Sequence, residues 1–298
     1  MITPETARAN SFVRRATILR VLNLLSPRSL LTAVRDVGRI AVQKRELISE
    51  LTQREVTAAH AGHSLGGAWV YIHPLVTIAV YLFVLGFVLG SKITQTAAFP
   101  GDYPSYIVIG LMSWLPVQAA LVRSTGALTG NASLVKQVVF PIEVLPIASI
   151  TAAMWPFWPA LVLCIAYKAI LGAGVGWMTL MLPVAIVMQV ALCVGISFIL
   201  SALTCFMRDI REFVTLFCLV AMYVNPAVYL PEWVPGGFKP FLYMNPFSYL
   251  TWTYQDALFF DHFVHPWSWV IMFVMAVVSL TGGYRLFQRL QPYFGNVI

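Results

Sequence analysis

Long apolar stretches separated by short polar segments dominate the chain from residue 69 onward. A helix needs roughly 20 apolar residues to cross a hydrocarbon core of about 30 Å, and six stretches of the chain meet or approach that length. They lie at about 69–90, 103–122, 144–167, 177–207, 213–230 and 265–284. The pattern predicts an all-α integral membrane protein with six transmembrane helices per chain.

The N-terminal region, residues 1–68, is amphipathic rather than uniformly apolar. In residues 1–30, arginines alternate with aliphatic residues, which favours a helix lying on an anionic membrane surface; an unstructured basic tail is the alternative. In residues 31–57, apolar side chains recur at helical spacing and charged side chains occupy the other faces. We expect this second segment to be an interface helix, followed by a transmembrane domain over 69–298.

The segment 231–264, between the fifth and sixth predicted spans, is too long for a turn and too polar to span a membrane. It is rich in Trp, Tyr and Phe. An irregular segment is tolerated at membrane depth only where protein covers its backbone. We expect one or two re-entrant outer helices here; an external lid lying at the membrane interface is the alternative.

A polar interruption, NASLVKQVVFPIEVLP at 131–146, separates the second and third spans. Lys136 and Glu143 lie seven residues apart, about two helical turns, but Pro141 disfavours one continuous helix. We expect a short helix over 134–140, a break, and a new helix from residue 142.

Composition and charge agree with a membrane protein. The chain is 59% hydrophobic and 10% charged, with a mean hydropathy of +0.78, far from the balance of soluble proteins. With the N-terminus inside, 16 of the 19 basic residues lie on the cytoplasmic side, as the positive-inside rule requires. Both termini and the polar interruption are therefore predicted to be cytoplasmic, and the net charge of +7 does not indicate nucleic acid.

The sequence offers no candidate catalytic residues or metal site for transport chemistry. The four cysteines lie in or beside apolar runs, and the HxxH pairs, at 60–63 and 262–265, lack further ligands nearby. No phosphate-binding GxxxxGK[ST] loop occurs. The spans hold no acidic or basic residues apart from terminal histidines, which disfavours ion-coupled transport. Energy is expected to come from a separate protein through a cytoplasmic contact.

Aromatic side chains are frequent in the first and fifth predicted spans. Aromatic rings stack on the apolar CH faces of sugars, so they predict a passage for a glycan; ordinary lipid-facing aromatics are the alternative. The candidates are Trp69, Tyr71, Tyr81, Phe83 and Phe87 in the first span and Phe213, Phe217, Tyr223 and Tyr229 in the fifth.

Six short segments in a fixed order resemble the permease subunits of bacterial ABC-2 type transporters, which export lipid-linked polysaccharides such as O antigen, capsule and teichoic acid. The segments are RELISELTQREV (45–56), LGGAWVYIHPL (65–75), LVKQVVFPIEVLP (134–146), RDI (208–210), NPAVYLPEWVP (225–235) and MNPFSYL (244–250). The resemblance implies a homodimer with two copies of an ABC subunit that binds ATP and Mg, while this chain needs no cofactor of its own. It also implies a motor-coupling contact at Lys136, Gln137, Phe140, Glu143, Arg208 and Asp209.

These features together predict a permease that moves an undecaprenyl-diphosphate-linked glycan across the bacterial cytoplasmic membrane. The lipid diphosphate is expected to bind cations at Arg54, Arg123 or Lys136. Two alternatives remain: an ABC-2 permease for a drug or other small molecule, and a polytopic enzyme acting on polyprenyl-phosphate sugars. The enzyme would draw its acids and bases from Glu232, Asp256, Asp261, His262 and His265.

Overall fold

A computed structural model describes residues 27–58, 64–88, 102–137, 140–171 and 176–297. Every regular element within these ranges is helical. The α-helices are α1 (Pro27–Gln43), α2 (Arg45–Ala58), α3 (Trp69–Tyr81), α4 (Tyr103–Ser124), α5 (Ala132–Val135), α6 (Val144–Met154), α7 (Trp158–Leu171), α8 (Leu182–Phe206), α9 (Ile210–Val224), α10 (Lys239–Met244), α11 (Pro246–Gln255) and α12 (Pro266–Val297). Short 3₁₀ and π turns connect or extend them.

Five helical stretches among the described residues are long and apolar enough to cross a membrane. They are Gly66–Gly86, Tyr103–Ser124, Val144–Ile170, Trp177–Phe206 and Pro266–Gly295. They correspond to the first four predicted spans and the sixth, so the prediction of an all-helical integral membrane protein is confirmed.

The fifth predicted span, 213–230, is not confirmed. It overlaps α9, which has 15 residues and ends at Val224. Asn225 is extended there, with a ψ of 134°, because the residue before a proline, here Pro226, disfavours helical backbone. At about 1.5 Å per residue α9 is shorter than a hydrocarbon core of about 30 Å, so the six-span topology stays a prediction.

The segment predicted to be an interface helix, 31–57, is helical and forms two helices, α1 and α2, interrupted at Lys44. Its position at a membrane interface stays a prediction. Helix α2 buries Ile48, Leu51 and Thr52 and packs against α6, while α1 packs against α12. The amphipathic pattern is thus satisfied by protein contacts on one face. The basic pattern predicted over residues 1–26 lies outside the described residues.

Helices α8 and α12 make the most extensive contact between helices among the described residues. Their backbones meet at Gly195 and Gly283: a Cβ on Gly283 would lie 2.0 Å from the carbonyl oxygen of Gly195. Small residues allow such close helix approach in membranes. Phe198 then packs edge-on against Tyr284 and Phe287.

The polar interruption at 131–146 folds differently from the expectation. The short helix is α5, which ends at Val135 rather than spanning 134–140, and the next helix begins at Val144 rather than residue 142. Pro141 accounts for the late start, because it lies in a turn in which Val144 N–H donates to the Pro141 carbonyl at 3.1 Å. Residues 138–139 lie outside the described residues.

The outer segment 231–264 forms a series of short helices: a 3₁₀ turn, α10, α11 and a π turn at Asp256–Phe260. Asn245 caps α11 by accepting a hydrogen bond from Phe247 N–H at 3.1 Å. Helix α11 is buried along most of its length and packs against α4, α8 and α12. Covered backbone of this kind supports the re-entrant interpretation, although its depth in a membrane stays a prediction.

Candidate functional site

A cavity of about 860 Å³ lies among α2, α3, α4 and α6. Much of its wall is apolar or small, including Leu115, Ala119 and Phe157. The polar lining includes residues at the C-terminal ends of α2 and α4 and others within α3, α4 and α6. It comprises Arg54, Glu55, His73, Thr77, Gln118, Arg123, Thr125, Asn131, Ser149 and Arg211.

One ion pair joins α2 to α4 at this cavity. Arg123 Nε donates to Glu55 Oε2 at 2.9 Å, and Arg123 Nη2 donates to the Glu55 backbone carbonyl at 3.1 Å. The two side chains are 32% and 19% exposed, so solvent screens the pair only in part. The planar guanidinium suits this two-point contact, which fixes the last turn of α2 beside the end of α4.

The charge of the lining is positive, with Arg54, Arg123 and Arg211 against the single carboxylate of Glu55. A cleft lined by one sign of charge with apolar walls attracts ligands of the opposite sign. The cavity therefore combines an anion-attracting end with an apolar wall, which suits an amphipathic anion.

Two of the three cations predicted for the lipid diphosphate, Arg54 and Arg123, thus meet at one cavity. The third, Lys136, lies exposed beyond α5 and is not among the lining residues. Sequence reasoning missed Glu55, His73 and Arg211. Glu55 lies 68 residues from Arg123, and no spacing in the sequence signals such a pair.

The residues predicted to contact a motor lie in two loops. Lys136 and Gln137 are exposed after α5. Phe140 and Glu143 are partly buried ahead of α6. The structure shows no ion pair between Lys136 and Glu143, both of which it describes.

Arg208 and Asp209 form the second of these loops, exposed between α8 and α9. The turn Thr129–Asn131 ahead of α5 contacts α8, the helix that leads into the second loop. Their role as a motor contact stays a prediction.

The aromatic residues predicted to line a glycan passage divide by exposure. Phe83, Phe213 and Tyr223 are 60%, 67% and 66% exposed, and Phe217 is exposed in part while touching the ring of Phe247. Tyr81 on α3 lies close enough to Tyr223 for electrostatic interaction. Helices α3 and α9 therefore approach each other at these two tyrosines.

The remaining aromatic candidates lie apart from that exposed group. Trp69 lines the cavity, and Tyr71 accepts a hydrogen bond from Trp155 Nε1 at 2.9 Å. Tyr229 is partly buried and donates to the Val224 carbonyl at 2.8 Å. The side chain of Phe87 lies outside the described residues. The predicted aromatic group is thus not one continuous row within a single chain.

A buried polar network links the helices behind the cavity and was not predicted. Ser113 Oγ lies 2.9 Å from Thr251 Oγ1, which donates to Asn225 Oδ1 at 3.0 Å. Gln189 donates to the Ser113 carbonyl at 2.9 Å and accepts from the Tyr254 hydroxyl. All five residues are buried. Such a network specifies how the helices pack, and single polar residues in apolar spans were its only sequence signal.

The acids and bases considered for an enzyme have structural partners. Asp256 is fully buried, and its carboxylate accepts from His265 N–H at 3.1 Å, His265 Nδ1 at 3.0 Å and Trp269 Nε1 at 3.2 Å. Asp261 accepts from Met178 N–H at 3.1 Å. Glu232 and His262 are exposed elsewhere on the segment. Both aspartates therefore have structural roles. Asp256 joins the π turn to α12, and Asp261 joins the end of that turn to the start of the fourth span.

No group of three or more metal-ligating side chains occurs within the ranges that the structure describes. All four cysteines are free and buried.

Comparison with known proteins gives a consistent picture. A family model described as ABC-2 type transporter matches residues 46–259, a range that contains every lining residue of the cavity. The chain is similar to the O-antigen export system permease protein RfbA of Klebsiella pneumoniae, with 22% identity over 255 residues, covering 85% of this chain and 95% of the relative. The RfbA permease of Myxococcus xanthus is 24% identical over 222 residues, covering 74% and 82%.

Proposed function

The chain belongs to the ABC-2 type transporter family, and from this premise we propose that it is the permease subunit of an ATP-driven exporter of undecaprenyl-linked polysaccharide, of the O-antigen or capsule type. Its similarity to O-antigen export permeases along 95% and 82% of their lengths carries the proposal. The site of action is the bacterial cytoplasmic membrane, with both termini cytoplasmic. Permeases of this family are transport subunits, so ATP and Mg are assigned to a separate ABC ATP-binding subunit.

The cavity supplies a place for the lipid headgroup. A diphosphate carries several acceptor oxygens and negative charge, which arginine guanidinium groups bind well. Arg54 and Arg123 lie in the lining, joined by Arg211, and the neighbouring wall is apolar. An undecaprenyl chain would contact this wall or the lipid beside it while the diphosphate binds the arginines.

An exposed aromatic surface supports a homodimer with a glycan passage. Phe83, in the π turn Leu82–Val88 that follows α3, is exposed, as are Phe213 and Tyr223 on α9, and we assign these rings to one surface. In one chain that surface is uncovered apolar area, and such patches mark contacts with lipid, protein or ligand. In the proposed dimer the two copies of this surface face each other, and their aromatic rings border the path of the sugar chain.

The motor is proposed to press on the loops around Lys136 and Arg208. Lys136 and Arg208 are exposed, and both loops lie on the side that the distribution of basic residues predicts to be cytoplasmic. The first loop leads directly into α6, which borders the cavity through Ser149, Ala152 and Ala153. A displacement of this loop by the motor would therefore be transmitted through α6 to the proposed headgroup site.

Reconstituted transport tests the proposal. The permease and its ATP-binding partner are placed in vesicles with undecaprenyl-linked glycan, and appearance of the glycan on the opposite side is measured. Transport is expected with the active partner and is expected to stop with a partner that cannot hydrolyse ATP. Transport that continues with the inactive partner would contradict an ATP-driven exporter.

A cellular experiment separates polysaccharide from small-molecule cargo. Deletion of the gene is expected to remove surface polysaccharide. Normal polysaccharide combined with new sensitivity to a drug would instead favour a small-molecule permease. The enzyme alternative predicts altered lipid-linked sugars without a co-purifying ATPase.

The motor contact is tested by replacing Lys136 and Glu143 together with alanine. Cargo-stimulated ATPase activity and export are expected to fall, because the contact with the motor is lost, while the dimer stays assembled. The matched control is Lys239→Ala with Glu232→Ala, which removes two opposite charges seven residues apart on the outer segment. Wild-type export in the Lys136 and Glu143 double variant would show that the loop is only a connection.

A further inference from the structure

Glu55 is the one carboxylate among the lining residues of the described cavity. Its side chain and its backbone carbonyl both bind Arg123, at 2.9 and 3.1 Å. The arginine best held in the cavity is therefore already bound to an anion of the protein itself. A ligand with phosphate oxygens would need the same guanidinium donors.

The position of Glu55 links that exchange to the movement of a helix. Glu55 lies in the last turn of α2, three residues before its end at Ala58. The earlier part of α2 packs against α6: Ile48 and Leu51 are buried, and Thr52 Oγ1 donates to the Ala148 carbonyl at 3.4 Å. Loss of the Arg123 contact would remove the hydrogen bonds between Glu55 and α4, while the contacts between α2 and α6 stay in place.

We propose that Glu55 is a ligand-displaced latch: a diphosphate headgroup takes Arg123 from Glu55, and the end of α2 is thereby released from α4. The exchange replaces one carboxylate with a group of greater charge and more acceptor oxygens, so the guanidinium keeps its hydrogen bonds throughout. Arg54, beside Glu55 in the lining, adds attraction for the incoming anion. Binding of a ligand in the cavity thereby changes the contacts of α2. Helix α2 packs on α6, which follows the proposed motor loop.

This inference rests on the proposed function for the identity of the lipid, but its test measures binding rather than export. The full permease complex in phosphatidylcholine nanodiscs is titrated with undecaprenyl diphosphate, with phosphatidylglycerol and with inorganic pyrophosphate. Glu55→Gln keeps the shape of the side chain and removes its charge. We expect it to bind undecaprenyl diphosphate at least threefold more tightly, because the competing carboxylate is gone. Arg123→Gln is expected to bind it at least tenfold more weakly.

Hydrogen exchange of residues 51–58 gives the second measurement. In the wild-type protein, exchange is expected to rise when undecaprenyl diphosphate binds. In Glu55→Gln and in Arg123→Gln, exchange is expected to be high before any ligand is added. The two variants therefore share one effect on α2 and differ in the sign of their effect on binding. A purely structural ion pair predicts the same sign for both.

The control is Glu50→Gln, an exposed acid on α2 outside the cavity lining, which is expected to match the wild type in both measurements. Equal affinities of the wild type, Glu55→Gln and Arg123→Gln for undecaprenyl diphosphate would overturn the latch. Hydrogen exchange of residues 51–58 that does not change when the ligand binds to the wild type would also overturn it. If inorganic pyrophosphate binds tightly and undecaprenyl diphosphate does not, and both substitutions change the affinity for pyrophosphate, the latch is supported and a lipid cargo is contradicted. Binding of phosphatidylglycerol with equal affinity would overturn diphosphate recognition.

Discussion

The first and second spans differ in how much of each is covered by protein. Both Gly66–Gly86 and Tyr103–Ser124 are long, apolar helical stretches. In the most apolar part of the first span only 17% of the residues are buried, whereas in that of the second span 72% are buried. The second carries Gly110 and Ser113, which touch other parts of the chain directly. The first presents exposed side chains such as Val80 and Phe83.

The difference shows that apolar character alone does not separate a core helix from a surface helix in a membrane protein. In water an apolar side chain is driven inward, but lipid tails are as apolar as leucine. A span stays in the interior because its backbone and polar groups fit its neighbours. The surface of the first span is left for lipid, a second copy or cargo.

The largest expected effect is at Gly110 in the second span. A Cβ there would lie 1.9 Å from the Ala227 carbonyl oxygen, and a backbone oxygen cannot rotate away. We expect Gly110→Ala to lower the free energy of unfolding by about 3 kcal/mol, measured by thermal denaturation in detergent.

The matched control lies in the first span. A Cβ on Gly86 would meet Leu82 Cδ1 at 3.5 Å and Pro104 Cγ at 3.8 Å, which are ordinary contacts. Gly86→Ala is expected to change stability by less than about 0.5 kcal/mol. Equal melting temperatures for the two variants would break the comparison between the spans.

The last span should show the same contrast on its two faces. At Gly283 a Cβ would lie 2.0 Å from the Gly195 carbonyl oxygen, whereas at Gly282 nothing lies within 4 Å. Gly283→Ala is expected to lower stability by about 2 kcal/mol, because overpacked helix contacts must separate. Gly282→Ala is expected to leave the melting temperature unchanged. A similar loss of stability in both variants would mean that the flexibility of glycine in the helix, and not its contact with α8, determines the effect.

A smaller effect is expected from the buried polar network. Ser113→Ala removes the hydroxyl that lies 2.9 Å from Thr251, and we expect a loss of about 1 kcal/mol in stability. The control is Thr77→Ala in the first span, where the hydroxyl binds its own helix at the His73 carbonyl, 2.9 Å away and exposed. Thermal denaturation of both variants measures the difference, and an equal loss would contradict a special role for the network.

The smallest effect on stability is expected on the exposed aromatic surface. Phe213→Ala combined with Tyr223→Ala should change stability by less than about 0.5 kcal/mol per substitution, since both rings are mostly exposed in the chain. Export measured in reconstituted vesicles should nevertheless fall at least threefold. The exposed Trp267, in the last span, provides the control. A Trp267→Ala variant that slows export equally would show that membrane contact, not a glycan passage, is being tested.

Much of the architecture was predictable because a helix that crosses a membrane requires a long apolar run, which is easily recognised in the sequence. Five spans occur where the apolar stretches predicted them, and the resemblance to ABC-2 permeases is confirmed by the match over 46–259. Boundaries set by local turns were less accurate, as the end of α5 at Val135 shows. The proposed site was predicted in part: Arg54 and Arg123 meet at the cavity, and Lys136 lies outside its lining.

What the sequence determined by itself is the environment of each segment. Long runs without charge must be helical and surrounded by apolar material, because unpaired backbone groups are too costly there. Only the tertiary structure decided which apolar faces meet protein and which stay open. It also decided that Glu55 pairs with Arg123 and that Gly283 meets Gly195. Such contacts join residues far apart in the chain, and their energies depend on distances that composition and periodicity do not encode.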